Sequence, residues 1–433
     1  MNAELRRNLW LELTLHRLLA LPVGLLLIFM LVYVVSEEGR RGSIATTAAT
    51  LFAAVALWGG VHAGDSVMGE VRGRTWDGQR MSAIEPWAMT WGKLAGAPAF
   101  AWYGGAICLA VYLLFSPAPN SLRTAIFMMA GALLLSAIAM IGSITASRKA
   151  VMRSSSTGWV LGIALLVVGP WMSVLTSGDA DIAWWGRHWR RIDFLLASTA
   201  LFAAWAVFGA YRLMCQELRV RTVPWAWPAF LVFTAVFVAG FGILPSDTLG
   251  QQRTVILIAG LIVSLAALYP MLLTEAGGAM ALRRMLVRGR AGEWRRLLQE
   301  APLWTVTLAL ALVFCILTVP LAGGGRPAPD DLLRTAVLAP VPLFFLAARD
   351  AALCLFFASA REPRRAEAAS LFYLLLLYWL VPMLLRSAGM QGLADLVLPP
   401  FWERPGYAAG VAGVQAALMI AAATWRWRRN YGS

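Results

Sequence analysis

"TAIFMMAGALLLSAIAMIGSITA" runs from Thr124 to Ala146 without one charged side chain. Wound as an α-helix, rising about 1.5 Å per residue, it is long enough to cross the roughly 30 Å hydrocarbon core of a bilayer. It has no two-residue alternation, so it does not read as a strand of a membrane barrel. Runs of this kind recur along all 433 residues: 60% of the chain is apolar, 14% is charged, and the mean hydropathy is +0.68. A soluble domain of this length needs a charged surface that 37 basic and 23 acidic residues hardly supply. The sequence predicts an all-α, polytopic integral membrane protein.

Twelve segments are candidate spans, near 18–36, 44–62, 95–115, 124–146, 158–176, 194–211, 226–244, 254–274, 303–322, 335–358, 369–388 and 408–424. The seventh follows "PWAWP", and the eleventh contains Pro382, tolerable where neighbouring helices satisfy the freed carbonyl. With the N-terminus inside, the inner connections collect most of the Lys and Arg residues. Among them are Arg6, Arg7, Arg72, Arg74, Lys93, Arg148, Arg212, Arg288, Arg290, Arg361 and Arg428. That bias predicts a cell (inner) membrane protein with both termini cytoplasmic. It also accounts for the net charge of +14 without nucleic acid. The basic residues are scattered over short segments facing anionic headgroups, whereas nucleic-acid binding needs one contiguous face with stacking aromatics. Arg7, Asn8, Glu12, His16 and Arg17 interrupt the first stretch, which reads as a short interfacial helix rather than a cleaved signal. Cys108, Cys215, Cys315 and Cys354 have no metal-ligand spacing, and His16, His62 and His188 are far apart, so neither a metal site nor disulfides are expected.

One charged phrase is written twice. "VRGRTWDGQRMSAIEP" spans Val71–Pro86 and "VRGRAGEWRRLLQEAP" spans Val287–Pro302; the offset, 287 − 71, is 216, about half the chain. Further matches keep the same order and membrane side: Arg148 with Arg361, Pro170 with Pro382, Trp185 with Trp402, Arg212 with Arg428. Arginine-rich inner loops resemble one another by composition, but the added matches favour duplication of a six-span unit, 1–221 and 222–433. Six is even, so the repeats are parallel. The repeated phrase lies between the second and third span of each unit, in segments 64–94 and 276–302. Ile84, Trp87 and Trp91 form an apolar stripe in the first; Leu282, Met285 and Leu286, then Trp294, Leu297, Leu298 and Ala301, form two in the second. Such stripes predict short amphipathic helices lying flat at the inner face, either plain anchors or docking platforms.

The stretch Glu70–Leu94, "EVRGRTWDGQRMSAIEPWAMTWGKL", resembles the membrane subunits of ABC transporters of the ABC-2 class, the type V exporters. The matching positions are Glu70, Thr75, Trp76, Asp77, Pro86, Gly92 and Lys93, with Arg72, Gly73 and Arg74 between them. The resemblance implies a coupling helix on which a cytoplasmic ATPase sits, in two copies, and that ATP reaches the system through that partner. "SRKAVMRSSS" after the fourth span resembles the inner loop leading into the family's fifth span. The second half keeps Arg288, Gly289, Arg290, Glu293 and Pro302, but has Ala291 at the Thr position and "WTVTL" in place of "WGKL".

The chain contains no phosphate loop, no H-E-x-x-H and no G-x-S-x-G, so no catalytic, cofactor-binding or metal site of its own is expected. Arg349-Asp350, in "FLAARDAALCL", puts two adjacent charges inside the tenth span. Each costs on the order of 2.5–3.5 kcal/mol to insert and should face protein or a wet cavity. Neighbours on a helix point about 100° apart, so each is expected to find a partner elsewhere, in a substrate or gating contact or in a pair locking this span to a neighbour. Two rival functions carry weight: a twelve-span secondary transporter of the major facilitator type, and a membrane-embedded lipid-modifying enzyme. The connection "CQELRVRTVP" is short for the former, and Asp179, Asp181, His188 and Glu403 are too dispersed for the latter.

Overall fold

A computed structural model of the protein describes residues 2–36, 39–82, 84–147, 181–220, 222, 225–274, 278–319, 339–360 and 366–431. The expected span at 158–176 and the inner turn from Arg148 lie outside these residues. The chain divides into two compact units, residues 1–183 with 188–222, and residues 184–187 with 223–433.

The first unit contains α1 (Ala3–Glu12), α2 (Leu15–Val35), α3 (Arg40–Arg72), α4 (Trp76–Arg80), α5 (Pro86–Gly96), α6 (Ala99–Phe115), α7 (Ser121–Ser147) and α8 (Arg191–Glu217). Between α7 and α8 in the chain stand two short strands, β1 (Asp181–Trp184) and β2 (Arg187–Arg190), whose tip, residues 184–187, belongs to the second unit. Their turn residues Trp185 and Gly186 both have positive φ, 52° and 66°, the type I′ geometry that matches hairpin twist. The core is built on α3 and α7. Ala48, Ala49, Ala56, Gly59, Gly60 and Ala63 line the buried face of α3, and a Cβ on Gly60 would stand 3.0 Å from Leu135 of α7. Small residues let helix backbones approach where lipid supplies no hydrophobic drive between them. By contrast α2 exposes Leu15, Leu19, Leu26, Leu27 and Leu31, as a lipid-facing span should.

The second unit contains α9 (Ala226–Ala239), α10 (Leu249–Thr274), α11 (Gly278–Arg290), α12 (Trp294–Glu300), α13 (Leu303–Thr318) and α14 (Pro340–Ala358). Then follow α15 (Ala366–Leu375), a π-helical turn at Leu376–Leu380, α16 (Val381–Ser387), α17 (Gln391–Val397) and α18 (Pro405–Tyr431). The π turn stands just ahead of Pro382, whose ring would clash with the carbonyl four residues earlier in a regular helix.

Among the described residues eight helices are long and apolar enough to cross a membrane. They become ten if the bent pairs α5–α6 (56°) and α12–α13 (104°) each make one span. The seventh expected span differs: α9 has 14 residues, about 21 Å, shorter than the hydrocarbon core. It stops at Gly240, whose carbonyl accepts the Trp185 N–H at 2.8 Å. A Cβ there would stand 2.3 Å from the Trp184 ring nitrogen, so the two tryptophans occupy the space at the helix end. The protein is an all-α polytopic membrane protein.

Candidate functional site

The 33 residues of α3 measure about 50 Å, well beyond the apolar core, so its last turns carry Asp65, Ser66, Glu70 and Arg72 past the membrane on one side. Arg74, at φ 57°, ends the helix in the left-handed conformation. The Thr75 N–H then returns to the Glu70 carbonyl at 3.0 Å and the Arg74 N–H to the Val71 carbonyl at 3.2 Å, a Schellman closure. In the second unit the closure comes at Gly292, φ 72°, where the Glu293 N–H reaches the Arg288 carbonyl at 3.1 Å. The repeated phrase thus ends a helix in both units, two residues later in the second.

Glu70 is the centre of a largely buried charge cluster. One carboxylate oxygen accepts from Lys93 Nζ at 2.5 Å; the other accepts from Arg7 at 2.6 Å and Gln79 at 2.5 Å. The Lys93 side chain is 1% exposed. Its ammonium also reaches Glu4 at 3.4 Å and the Ser66 carbonyl at 3.3 Å, one acceptor for each of its three protons. It lies 5.2 Å from the centre of the Trp76 ring, a cation–π contact. Arg7 bonds Glu4 as well, at 2.9 Å, so two carboxylates and two cations balance. Burial of charge on this scale is tolerable only with such complete pairing.

The cluster joins four elements of the first unit: α1, the end of α3, α4 and α5. Arg80, on α4, donates to the Glu217 carbonyl at the end of α8 at 3.1 Å. Gly92 and Gly96 let α1 lie directly on α5, since a Cβ at Gly92 would stand 2.5 Å from Glu4 Cγ and one at Gly96 2.8 Å from Asn8 Cβ. Asn8 donates to the Gly92 carbonyl at 3.0 Å. Asn2 caps α1 by accepting from the Glu4 and Leu5 amides, and donates to the Ala88 carbonyl at 2.5 Å. Overpacking this contact costs about 1–3 kcal/mol. Gly92→Val is therefore expected to loosen α1 and speed thiol labelling of Leu5→Cys about tenfold. Unchanged labelling would mean that α1 holds its place without the close approach.

The remaining expected residues form a rim. Arg72, Gly73, Arg74, Thr75 and Asp77 are exposed, and Pro86 opens α5 at its first turn. Ile84 falls before α5, outside the helix that carries Trp87 and Trp91. In the second unit Arg288 pairs with Glu300 at 2.7 Å, while Arg290 and Glu293 stay exposed, Glu293 paired with Arg296 at 3.2 Å. Gly289 packs near Leu297, and Pro302 caps α13. No charge is buried in α12, in contrast to the Glu70 cluster.

Arg349 and Asp350 depart from expectation in one respect. The guanidinium folds back onto its neighbour, with Nε and Nη2 at 2.9 and 2.8 Å from one Asp350 oxygen. Partners elsewhere exist too. The second Asp350 oxygen accepts from Tyr269 at 2.8 Å and Tyr378 at 2.6 Å, and Arg349 donates to Gln415 at 2.6 Å. Gln415 in turn donates to the carbonyls of Leu396 and Val397. The pair therefore ties α14 to α10, the π turn, α17 and α18, all within the second unit.

Sequence reasoning missed Glu4, Arg7, Asn8 and Gln79 in the first cluster and Tyr269, Tyr378 and Gln415 in the second. In α1 the signal was the i, i+4 pair Glu4 and Asn8, a polar face turned inwards while Trp10 is 80% exposed. The other three are isolated polar groups in otherwise apolar spans, natural partners for a buried charge. Among the described residues no three His, Cys, Asp or Glu side chains gather where a metal ion could bind. No family model, curated protein or solved structure matches the chain.

Proposed function

We propose that the chain is the membrane-spanning permease subunit of an ATP-driven ABC transporter of the ABC-2 class, an exporter whose ATP is hydrolysed by a separate cytoplasmic subunit. In this reading twelve spans form two parallel six-helix repeats in the cell (inner) membrane, with both termini cytoplasmic. The sequence-predicted span at 158–176, which lies outside the described residues, and the short α9 are counted beside the ten apolar helices and bent pairs. Two ATPase copies are expected, one for each half.

The observation that carries the reading is the Glu70 cluster. The segment that resembles a coupling helix is fixed by buried charge pairs to the end of one long helix and the entrance of the next, Glu70 on α3 and Lys93 on α5. Its rim of Arg72, Arg74 and Asp77 is left open to a partner. A push on α4 would reach three helix ends through Gln79, Arg80 and Lys93 without passing through a flexible link. The second half has the phrase without the buried lysine, so coupling is expected to be stronger through the first.

Purification of the tagged full chain from its native host, with identification of what accompanies it, tests this reading. A nucleotide-binding protein is expected, and it should be lost from the Arg72→Glu/Arg74→Glu variant at unchanged melting temperature, because both side chains are exposed; Asp77 is left in place because it pairs with Arg80 at 3.6 Å. Absence of any ATPase, in conditions that preserve known complexes, would transfer the assignment to a secondary transporter.

A further inference from the structure

The helix α12 meets α13 at 104°, so if α13 runs across the membrane α12 runs along its surface. Trp294 and Leu298 share one face of α12 and are 66% and 56% exposed; Val287, near the end of α11, is 58% exposed. Beside these apolar groups stand six arginines, at 283, 284, 288, 290, 295 and 296, against Glu293 and Glu300. The two glutamates are taken by Arg296 and Arg288. Arg283, Arg284, Arg290 and Arg295 have no acidic partner among the described residues, which leaves α11 and α12 with a net charge of four. Arg283, Arg284 and Arg288 line a groove of about 560 Å³ together with Val287, guanidinium groups beside an apolar wall. The same phrase in the first unit lies beside a cluster whose buried charges cancel. Here they do not.

We infer that α11 and α12 form a binding site for anionic phospholipid headgroups of the leaflet they lie on. Guanidinium forks pair with phosphate in two-point hydrogen bonds, and the exposed Trp294 and Leu298 enter the acyl boundary beneath. An acidic protein face would satisfy the arginines but would also need an apolar pocket for those two side chains. Lipid satisfies both. The inference rests on these two helices alone and stands whether or not the chain is an ABC permease.

The test uses the full chain, delipidated in mild detergent and titrated with phosphatidylglycerol or phosphatidylcholine of the same acyl length, with bound lipid counted by native mass spectrometry. Wild type is expected to prefer phosphatidylglycerol. Arg283→Gln/Arg284→Gln/Arg295→Gln should weaken that preference at least tenfold, since each interfacial arginine contributes about a fivefold factor. The three side chains are exposed, so folding should be intact, as an unchanged melting temperature would verify. Arg6→Gln/Arg41→Gln/Arg253→Gln removes the same charge from other exposed positions and should retain the preference. Retention by the first variant, or equal loss in the second, would overturn the proposal. So would a first variant that keeps its lipid but loses a protein partner on isolation from the native host.

Discussion

Replacing Lys93 by methionine is expected to destabilise the first unit by about 3–5 kcal/mol, the usual cost of removing one partner from a buried ion pair. Methionine fills most of the volume but leaves the carboxylates of Glu4 and Glu70 with Arg7 as their remaining cation, and Glu4 is 2% exposed. The effect should appear as a large fall in melting temperature in detergent. Lys93→Met combined with Glu4→Gln and Glu70→Gln should recover part of it, because no buried carboxylate is then left without a cation and Arg7, 44% exposed, can turn to water. A Lys93→Met protein as stable as wild type would show that the cluster adds nothing to the packing of α1 on α5. Lys93→Arg is a second check. It keeps the charge but not the compact three-proton geometry, and so should fall between wild type and methionine.

Asp350→Ala is expected to be comparably damaging in the second unit, again about 3–5 kcal/mol. The substitution leaves the Arg349 guanidinium, 5% exposed, beside apolar helices and removes the acceptor of both Tyr269 and Tyr378 hydroxyls. Each orphaned hydroxyl adds a desolvation cost of about 1–3 kcal/mol unless it finds another acceptor. The double change Arg349→Met/Asp350→Leu should be milder than Asp350→Ala alone, as apolar residues of similar volume often replace a buried pair at little cost. On the permease reading, a double variant that folds but no longer transports would place the pair in the transport cycle. If it folds and transports, the pair is a lock between helices. Chemical denaturation and a transport assay on the same preparations separate the two.

How far the sequence could be read follows from the range of the forces involved. Long uncharged runs such as Thr124–Ala146 are a local property of the chain, and α7 lies within a residue or a few of that reading. Glu70, Trp76, Gly92 and Lys93 could be marked because the resemblance to a coupling segment covers one short stretch that holds them all. Their partner Glu4 could not, since it lies 89 residues before Lys93 and belongs to a helix that buries its polar side. A search for apolar stripes is blind to such a helix. The end of α9 was misjudged for a similar reason: composition allows the span to continue past Gly240, and the tryptophans that stop it come from residues 184 and 185. The hairpin had a local clue in Gly186, following Trp185 at the turn. Partners of Asp350 were beyond reach because hydrogen bonds over 81 and 28 residues depend on helix packing, which periodicity does not encode.

The direct bond between Arg349 and Asp350 matters before the bundle exists. During synthesis α14 leaves the ribosome ahead of Tyr378 and Gln415, which lie 28 and 66 residues further along. An aspartate entering the membrane without a cation would have only Tyr269, on the earlier α10, to turn to until those helices arrive. With its own neighbour folded onto it, the helix carries a neutral dipole rather than a naked ion, at 2.8 Å separation. Adjacency in the chain therefore supplies a counter-ion at the moment of insertion, and the later helices need only complete the remaining hydrogen bonds.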